Sequence, residues 1–302
     1  MGIRLASQLQ EKNTLFSKLL VEDSMRRQVI TLPMDQIISS AIRTIIKFKV
    51  DAVLVTDGEG LPAGIITKTE IMGTYYADLP LEIPLSDIMA SPVITCSPKD
   101  TLESALVTMQ QAAIHRIYVT NEGGKAIGTL SYPDIVGHLY RFCCDCDYGM
   151  RKRSESSDHE KLRYSIKDVM TPTVTTALDT DSITEVIEKL SSFQLGALLI
   201  IDESGKHAGV ISKTDLALAY CRNVPLDANA HAIMNGPVKL CADNQPLEEG
   251  IRQMVFSEIS RLFVHGSDHE VCTGVLSLSD AARTRSGSCQ ACSSARIKVK
   301  EQ

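Results

Sequence analysis

A chain of 302 residues, 44% hydrophobic and 23% charged, carries enough apolar material for two cores of ordinary domain size. No apolar run approaches the ~20 residues that would span a bilayer, and a net charge of −6 argues against nucleic-acid binding as the main business of the surface. The opening residues, Met1 to Ser7, lack a secretory cleavage pattern, and Ala6 stands where a myristoylation signal wants Ser or Thr, so a cytoplasmic protein with no membrane association is expected.

In chain order, Leu5, Leu9, Phe16, Leu19 and Leu20 predict a short N-terminal helix over 1–20 that docks on the unit after it. That unit, 21–80, begins with Asp23-Ser24-Met25. The spacing of Ile38, Ala41, Ile42 and Ile45 at i, i+3, i+4, i+7 then predicts a helix with one buried stripe. Val53-Leu54-Val55 reads as a strand, Asp57-Gly58-Glu59-Gly60 as a turn, and Gly64-Ile65-Ile66-Thr67-Lys68-Thr69-Glu70 as a strand running into a helix.

The same succession returns three times. Over 81–142 it is Asp87-Ile88-Met89, the stripe Leu102, Ala105, Leu106, Met109, the strand Ile117-Tyr118-Val119 and the turn Gly128-Thr129-Leu130-Ser131-Tyr132-Pro133-Asp134. Over 165–225 it is Asp168-Val169-Met170, then Ile183, Val186, Ile187, Leu190, then Leu198 to Ile201, then Gly209-Val210-Ile211-Ser212-Lys213-Thr214-Asp215. Over 226–285 it is Ala232-Ile233-Met234, then Leu247, Gly250, Ile251, Met254, then Leu262-Phe263-Val264, then Gly274-Val275-Leu276-Ser277-Leu278-Ser279-Asp280. The methionines step by 64, 81 and 64 residues and the glycines by 64, 81 and 65. The chain is therefore a four-unit repeat in two close pairs, with a polar linker at 143–164 and a polar tail at 286–302.

Each submotif sets a hydroxyl and a carboxylate three residues apart at a strand-to-helix boundary: Thr67 and Glu70, Ser131 and Asp134, Ser212 and Asp215, Ser277 and Asp280. Such a pair suits a vicinal diol. It equally suits a helix cap, with the hydroxyl at the N-cap and the acid in the first turn, which needs no ligand.

With both halves of the pattern present four times, the unit resembles the cystathionine-β-synthase (CBS) domain, whose members work in pairs called Bateman modules. The resemblance covers roughly residues 15–285 and implies an α/β (α+β) fold of four CBS repeats forming two tandem modules. It also implies that the hydroxyl and acid of each submotif hold the ribose of an adenine nucleotide such as AMP, ADP or ATP. Glu70 departs from the family's Asp, and its extra methylene carries the carboxylate about 1.5 Å further out. In the γ subunits of AMP-activated protein kinases, which also carry four such units, a His-Arg pair on the middle strand contacts phosphate. His115 and Arg116 match it, whereas Ser260 and Arg261 keep only the Arg, and the odd units show Asp51-Ala52 and Gly196-Ala197. An Arg fork suits phosphate oxygens; the other reading has Arg116 paired with an acid across the module. Lys68 and Lys213 read as rim charge or solvated surface. Similar proteins sandwich the base near segments matching 91–95, 171–175 and 236–240, with adenine expected by analogy.

Cys143, Cys144 and Cys146 follow unit two, and Cys289 and Cys292 follow unit four. Thiolates at these spacings would ligate zinc or an iron–sulfur cluster if the tails meet; a reversible disulfide and plain linker are the other readings. Cys96, Cys221, Cys241 and Cys272 read as small core residues. No catalytic constellation is found and little chain remains for a catalytic domain, so the chain is not expected to be an enzyme. The expectation is a regulatory sensor, binding an adenine nucleotide or related adenosyl ligand and signalling to a partner protein, with a homodimer favoured. The alternative is an interaction scaffold or a redox- or metal-responsive adaptor with vacant clefts. The modules are expected to pack through the helices after the submotifs, within one chain or between two.

Overall fold

The structure, a computed structural model, describes residues 19–112, 114–131, 134–135, 164–257, 259–278 and 280. Unit I contains α1 (Val21–Ser24), β1 (Thr31–Pro33), α2 (Ile38–Phe48), β2 (Ala52–Thr56), β3 (Pro62–Thr67) and α3 (Lys68–Tyr76). Unit II contains β4 (Thr95–Cys96), α4 (Leu102–Gln111), β5 (Arg116–Thr120) and β6 (Ala126–Ser131). Unit III contains β7 (Thr176–Leu178), α5 (Ile183–Ser192), β8 (Ala197–Ile201), β9 (His207–Ser212) and α6 (Lys213–Cys221). Unit IV contains β10 (Leu240–Ala242), α7 (Leu247–Phe256), β11 (Arg261–His265) and β12 (Cys272–Ser277). Where unit I opens with α1, the others open with a single 3-10 turn, at Leu85–Asp87, Ile166–Asp168 and Ala230–Ala232, which the sequence reading did not anticipate. No helix among the described residues is long and apolar enough to cross a membrane.

Every unit builds the same three-stranded sheet. The first two strands run parallel with the helix as crossover, and the last two form an antiparallel hairpin. The helical stripes face these sheets: Ile38, Ala41, Ile42, Ile45, Leu102, Ala105, Met109, Ile183, Val186, Leu190, Leu247 and Met254 are all buried. Gly250 takes the Ala position of the stripe in unit IV because a Cβ there would stand 2.7 Å from Leu276 Cδ2.

The units exchange their opening segments within each pair. Arg26 bridges to Thr129, Ala90 to Ile65, Thr171 to Val275 and Asn235 to Val210, all antiparallel. Each signature Met thereby lands on the submotif Gly of its neighbour. A Cβ on Gly64 would lie 2.8 Å from Met89 Cβ; one on Gly128 would lie 2.7 Å from the Met25 sulfur. Gly209 meets the Met234 sulfur at 3.0 Å and Gly274 the Met170 sulfur at 2.5 Å in the same test. Two columns conserved in type along the chain are thus the two sides of one contact, made four times.

The pairs join through their first units. The cores of units I and III form one continuous cluster, while those of units II and IV form separate ones around Leu102, Met109 and Leu130 and around Leu247, Met254 and Leu276. Helices α3 and α6 pack together, with Tyr75 and Tyr220 stacked at 4.9 Å between ring centroids. Their hydroxyls donate reciprocally across the contact, Tyr75 to the Val224 carbonyl at 2.6 Å and Tyr220 to the Leu79 carbonyl at 2.5 Å. Modules therefore pair within one chain for these two helices; the matching segments Pro133 to Phe142 and Ser279 to Arg283 lie almost wholly outside the described residues. Of the cysteines read as core, only Cys241 is buried; Cys96, Cys221 and Cys272 are half-buried, because they fall at strand and helix ends rather than midway along them.

Candidate functional site

The submotifs of units I, III and IV fold as capping boxes, and that of unit II shows the half in which the acid accepts from the N-cap amide. In unit III the Ser212 amide and hydroxyl both donate to Asp215 Oδ2, at 2.7 and 2.6 Å. In unit IV the Ser277 amide and hydroxyl donate to Asp280 Oδ2 at 3.1 and 2.5 Å, and the Asp280 amide donates back to Ser277 Oγ at 3.1 Å. In unit II the Ser131 amide donates to Asp134 Oδ2 at 3.0 Å, with the hydroxyl bonded to the same oxygen. Unit I differs: the Thr67 amide donates to Glu70 Oε2 at 2.8 Å, but the Thr67 hydroxyl accepts from the Thr69 amide at 3.0 Å. The longer acid reaches back past the hydroxyl to the amide.

The capping and diol readings are compatible on this geometry. In each Asp the cap engages one carboxylate oxygen, Oδ2. Oδ1 of Asp134 accepts from Arg26 Nε at 2.5 Å, and Oδ1 of Asp215 accepts from Asn235 Nδ2 at 2.7 Å. Both donors arrive on the opening segment of the paired unit. Neither Arg26 nor Asn235 was singled out in the sequence, where each is merely the residue after a signature Met.

Strand register brings the candidate cations to the same place. Arg116 is the cross-strand partner of Ser131, and Arg261 that of Ser277, so cation and hydroxyl sit side by side on one face. In units I and III the partners of Thr67 and Ser212 are Ala52 and Ala197. His115 and Ser260, one residue earlier, are exposed at the strand mouths.

The two arginines also reach the other units. The Arg261 guanidinium covers Gly196, where a Cβ would stand 2.7 Å from Cζ. Asp51, in the same repeat column as Gly196, salt-bridges Lys68 at 2.8 Å. Desolvation alone would raise the Asp51 carboxyl, but Lys68, Arg116 and Arg261 together hold it below its ordinary value. Arg116 thus acts on Asp51 at a distance, while the ion pair of that carboxylate goes to Lys68. Lys213 corrects the rim reading: it is half-buried and donates to Thr69 Oγ1 of the other module at 2.9 Å. Burial first, then Arg261, pulls its ammonium below the ordinary value, with Glu70 opposing. Burial likewise pulls Arg261 down against Asp280 and Asp51. Cations from all four units and acids from two therefore converge where the modules meet.

The cysteines proposed as metal ligands, Cys143, Cys144, Cys146, Cys289 and Cys292, lie outside the described residues. Among the described residues no three His, Cys, Asp or Glu side chains are grouped to hold a metal ion. Burial, reinforced by Asp100, pushes the Cys96 thiol up to about 12; burial with Cys272 pushes Cys241 up to about 11. Both are thiols, not thiolates, near neutral pH.

The CBS domain family model matches residues 21–76, 85–141, 166–222 and 230–287. Protein MJ1225 of Methanocaldococcus jannaschii is 22% identical over 196 residues, spanning 65% of this chain and 68% of that protein. Its crystal structure superposes with a TM-score of 0.71 at 17% identity, covering 88% of this chain and 100% of that one. The 5'-AMP-activated protein kinase subunit gamma of Saccharomyces cerevisiae is 22% identical over 129 residues, or 40% of this chain and 39% of that subunit. The structural likeness establishes the fold.

Proposed function

Because this chain belongs to the CBS domain family, we propose that it is a regulatory protein, not a catalyst, which binds an adenosine-containing ligand in the clefts of its paired units and passes occupancy to a partner protein. The observation that carries the reading is the register of units II and IV. A hydroxyl and a carboxylate fit for a ribose diol stand beside an Arg fit for a phosphate, on strands that place Arg116 opposite Ser131 and Arg261 opposite Ser277. Similarity to a subunit of a kinase named for activation by AMP supports the adenine nucleotide class.

In this reading Ser277 and Asp280 hold a ribose with Arg261 near the phosphates, and Ser131, Asp134, His115 and Arg116 form the equivalent set. Ser212 and Asp215 hold a ribose with no Arg on the adjacent strand, and Thr67 with Glu70 is the weakest diol site because its hydroxyl is turned to the helix. Coupling follows from position, since Lys213 donates to Thr69 of the other module and Arg261 acts electrostatically on Asp51 there: a ligand that recruits them shifts the balance between module packings only through its differential affinity for them. Any association of two chains would use surfaces other than α3 and α6. Calorimetric titration with AMP, ADP and ATP tests the reading; it expects binding that Asp280→Ala weakens, and no binding by the intact protein would overturn it. Light scattering reports the chain number directly.

A further inference from the structure

The residue after each signature Met forms a column, Arg26, Ala90, Thr171 and Asn235, whose four members differ in reach and charge. The exchange of opening segments sets each beside the strand that ends in the paired unit's Ser-Asp or Thr-Glu pair: Arg26 against Thr129, Ala90 against Ile65, Thr171 against Val275, Asn235 against Val210. Two of the four have side chains that take the second oxygen of that acid. Arg26 does so with a charged donor at 2.5 Å and Asn235 with a neutral one at 2.7 Å. The methyl of Ala90 has no donor to offer Glu70.

We propose that Arg26 is a latch on the unit II cleft: its ion pair with Asp134 must open before that carboxylate can take a ribose diol, so that this column sets the order in which the clefts fill. The proposal rests on the ribose reading of the acids and adds to it a residue that decides among them. The asymmetry of the pair supports a latch rather than a fixed strut. Arg26 is 71% exposed and Asp134 only 7%. The guanidinium can swing into water, where it is well solvated, whereas the carboxylate is already desolvated and needs another donor once the Arg leaves. A neutral diol competes poorly against a charge-assisted bond, so the unit II cleft is the harder to fill although its Ser131, His115 and Arg116 match the family pattern best. Asn235 offers Asp215 only a neutral amide and is the easier to displace.

The test uses AMP as the probe in calorimetric titrations of the full chain and of Arg26→Ala, Arg26→Gln and Arg26→Ala/Asp134→Ala. Arg26→Ala should gain one AMP site, or tighten one by roughly tenfold. Arg26→Gln, which keeps a donor without the charge, should fall between, and the double variant should lose the gain. Unchanged stoichiometry and affinity in Arg26→Ala, or weaker binding, would overturn the latch while leaving the ribose reading intact. AMP binding by none of the four proteins would overturn both. Because Arg26 lies at the surface, a folded Arg26→Ala protein is expected, and its urea midpoint checks this.

Discussion

Units I and III differ from units II and IV in what their shared framework is used for. The inner units merge their cores, lock α3 to α6 through a tyrosine stack with two reciprocal hydroxyl bonds, and offer Ala at the position opposite the submotif hydroxyl. The outer units keep separate cores and carry Arg there instead. One repeat has thus been divided into a structural half and a charged half. The division shows that a repeat column can change its chemistry freely where the contact it serves lies outside the unit's own core.

The largest expected effect is on stability. Leu190→Ala in the inner core should cost about 2–5 kcal/mol, and because that core spans both modules the loss should appear as one cooperative transition shifted for the whole chain in a calorimetric scan. Leu130→Ala should cost a similar amount in an outer core yet split the scan, with unit II melting ahead of the shared inner core. A single shifted transition in both would erase the distinction between inner and outer units.

Next comes ligand affinity. Asp280→Ala should weaken AMP binding by about 1.5–3 kcal/mol, the scale of a lost bond to a charged group, and Glu70→Ala should change it far less, since Thr67 turns its hydroxyl to the helix. Equal losses in the two titrations would contradict the division.

A smaller effect probes the tyrosine contact. Tyr75→Phe removes one hydroxyl bond and should cost about 0.5–1.5 kcal/mol in urea unfolding. Burial first, then Asp78, pushes the Tyr75 hydroxyl from 10.0 to about 12. A raised value means the neutral form is the one the fold favours, so this contribution is fully present below pH 10.0 and is lost as pH rises through about 12. Tyr75→Phe should flatten that part of the stability profile, which denaturant titrations across the window would show. Smallest of all, Lys206→Ala breaks an exposed pair with Glu270 at 3.1 Å and should change stability by less than about 1 kcal/mol.

How much of this was readable in the chain follows from where each contact is made. The four-unit repeat and the helical stripes were legible because Met and Gly, or Ile and Val, recur at fixed spacing whenever the same contact is made four times. The choice of inner units was written in the sequence too, though it went unread. The column of Tyr75 holds Tyr220 in unit III but Leu139 and Arg285 in units II and IV. The Arg26 to Asp134 pair was not legible, since the two lie 108 positions apart and meet only through exchanged segments. Asp51 was read as a position lacking a cation, when its carboxylate is the group on which Lys68, Arg116 and Arg261 all act.

The methionine of one unit covering the glycine of its neighbour has a consequence for how such a chain can change length. A solitary copy would expose a groove with no lid and a lid with no groove, so removing unit II would leave Gly64 uncovered and Met25 without its seat over Gly128. Truncation or duplication is therefore tolerated two copies at a time, and an odd number of copies leaves one searching for a mate in another molecule.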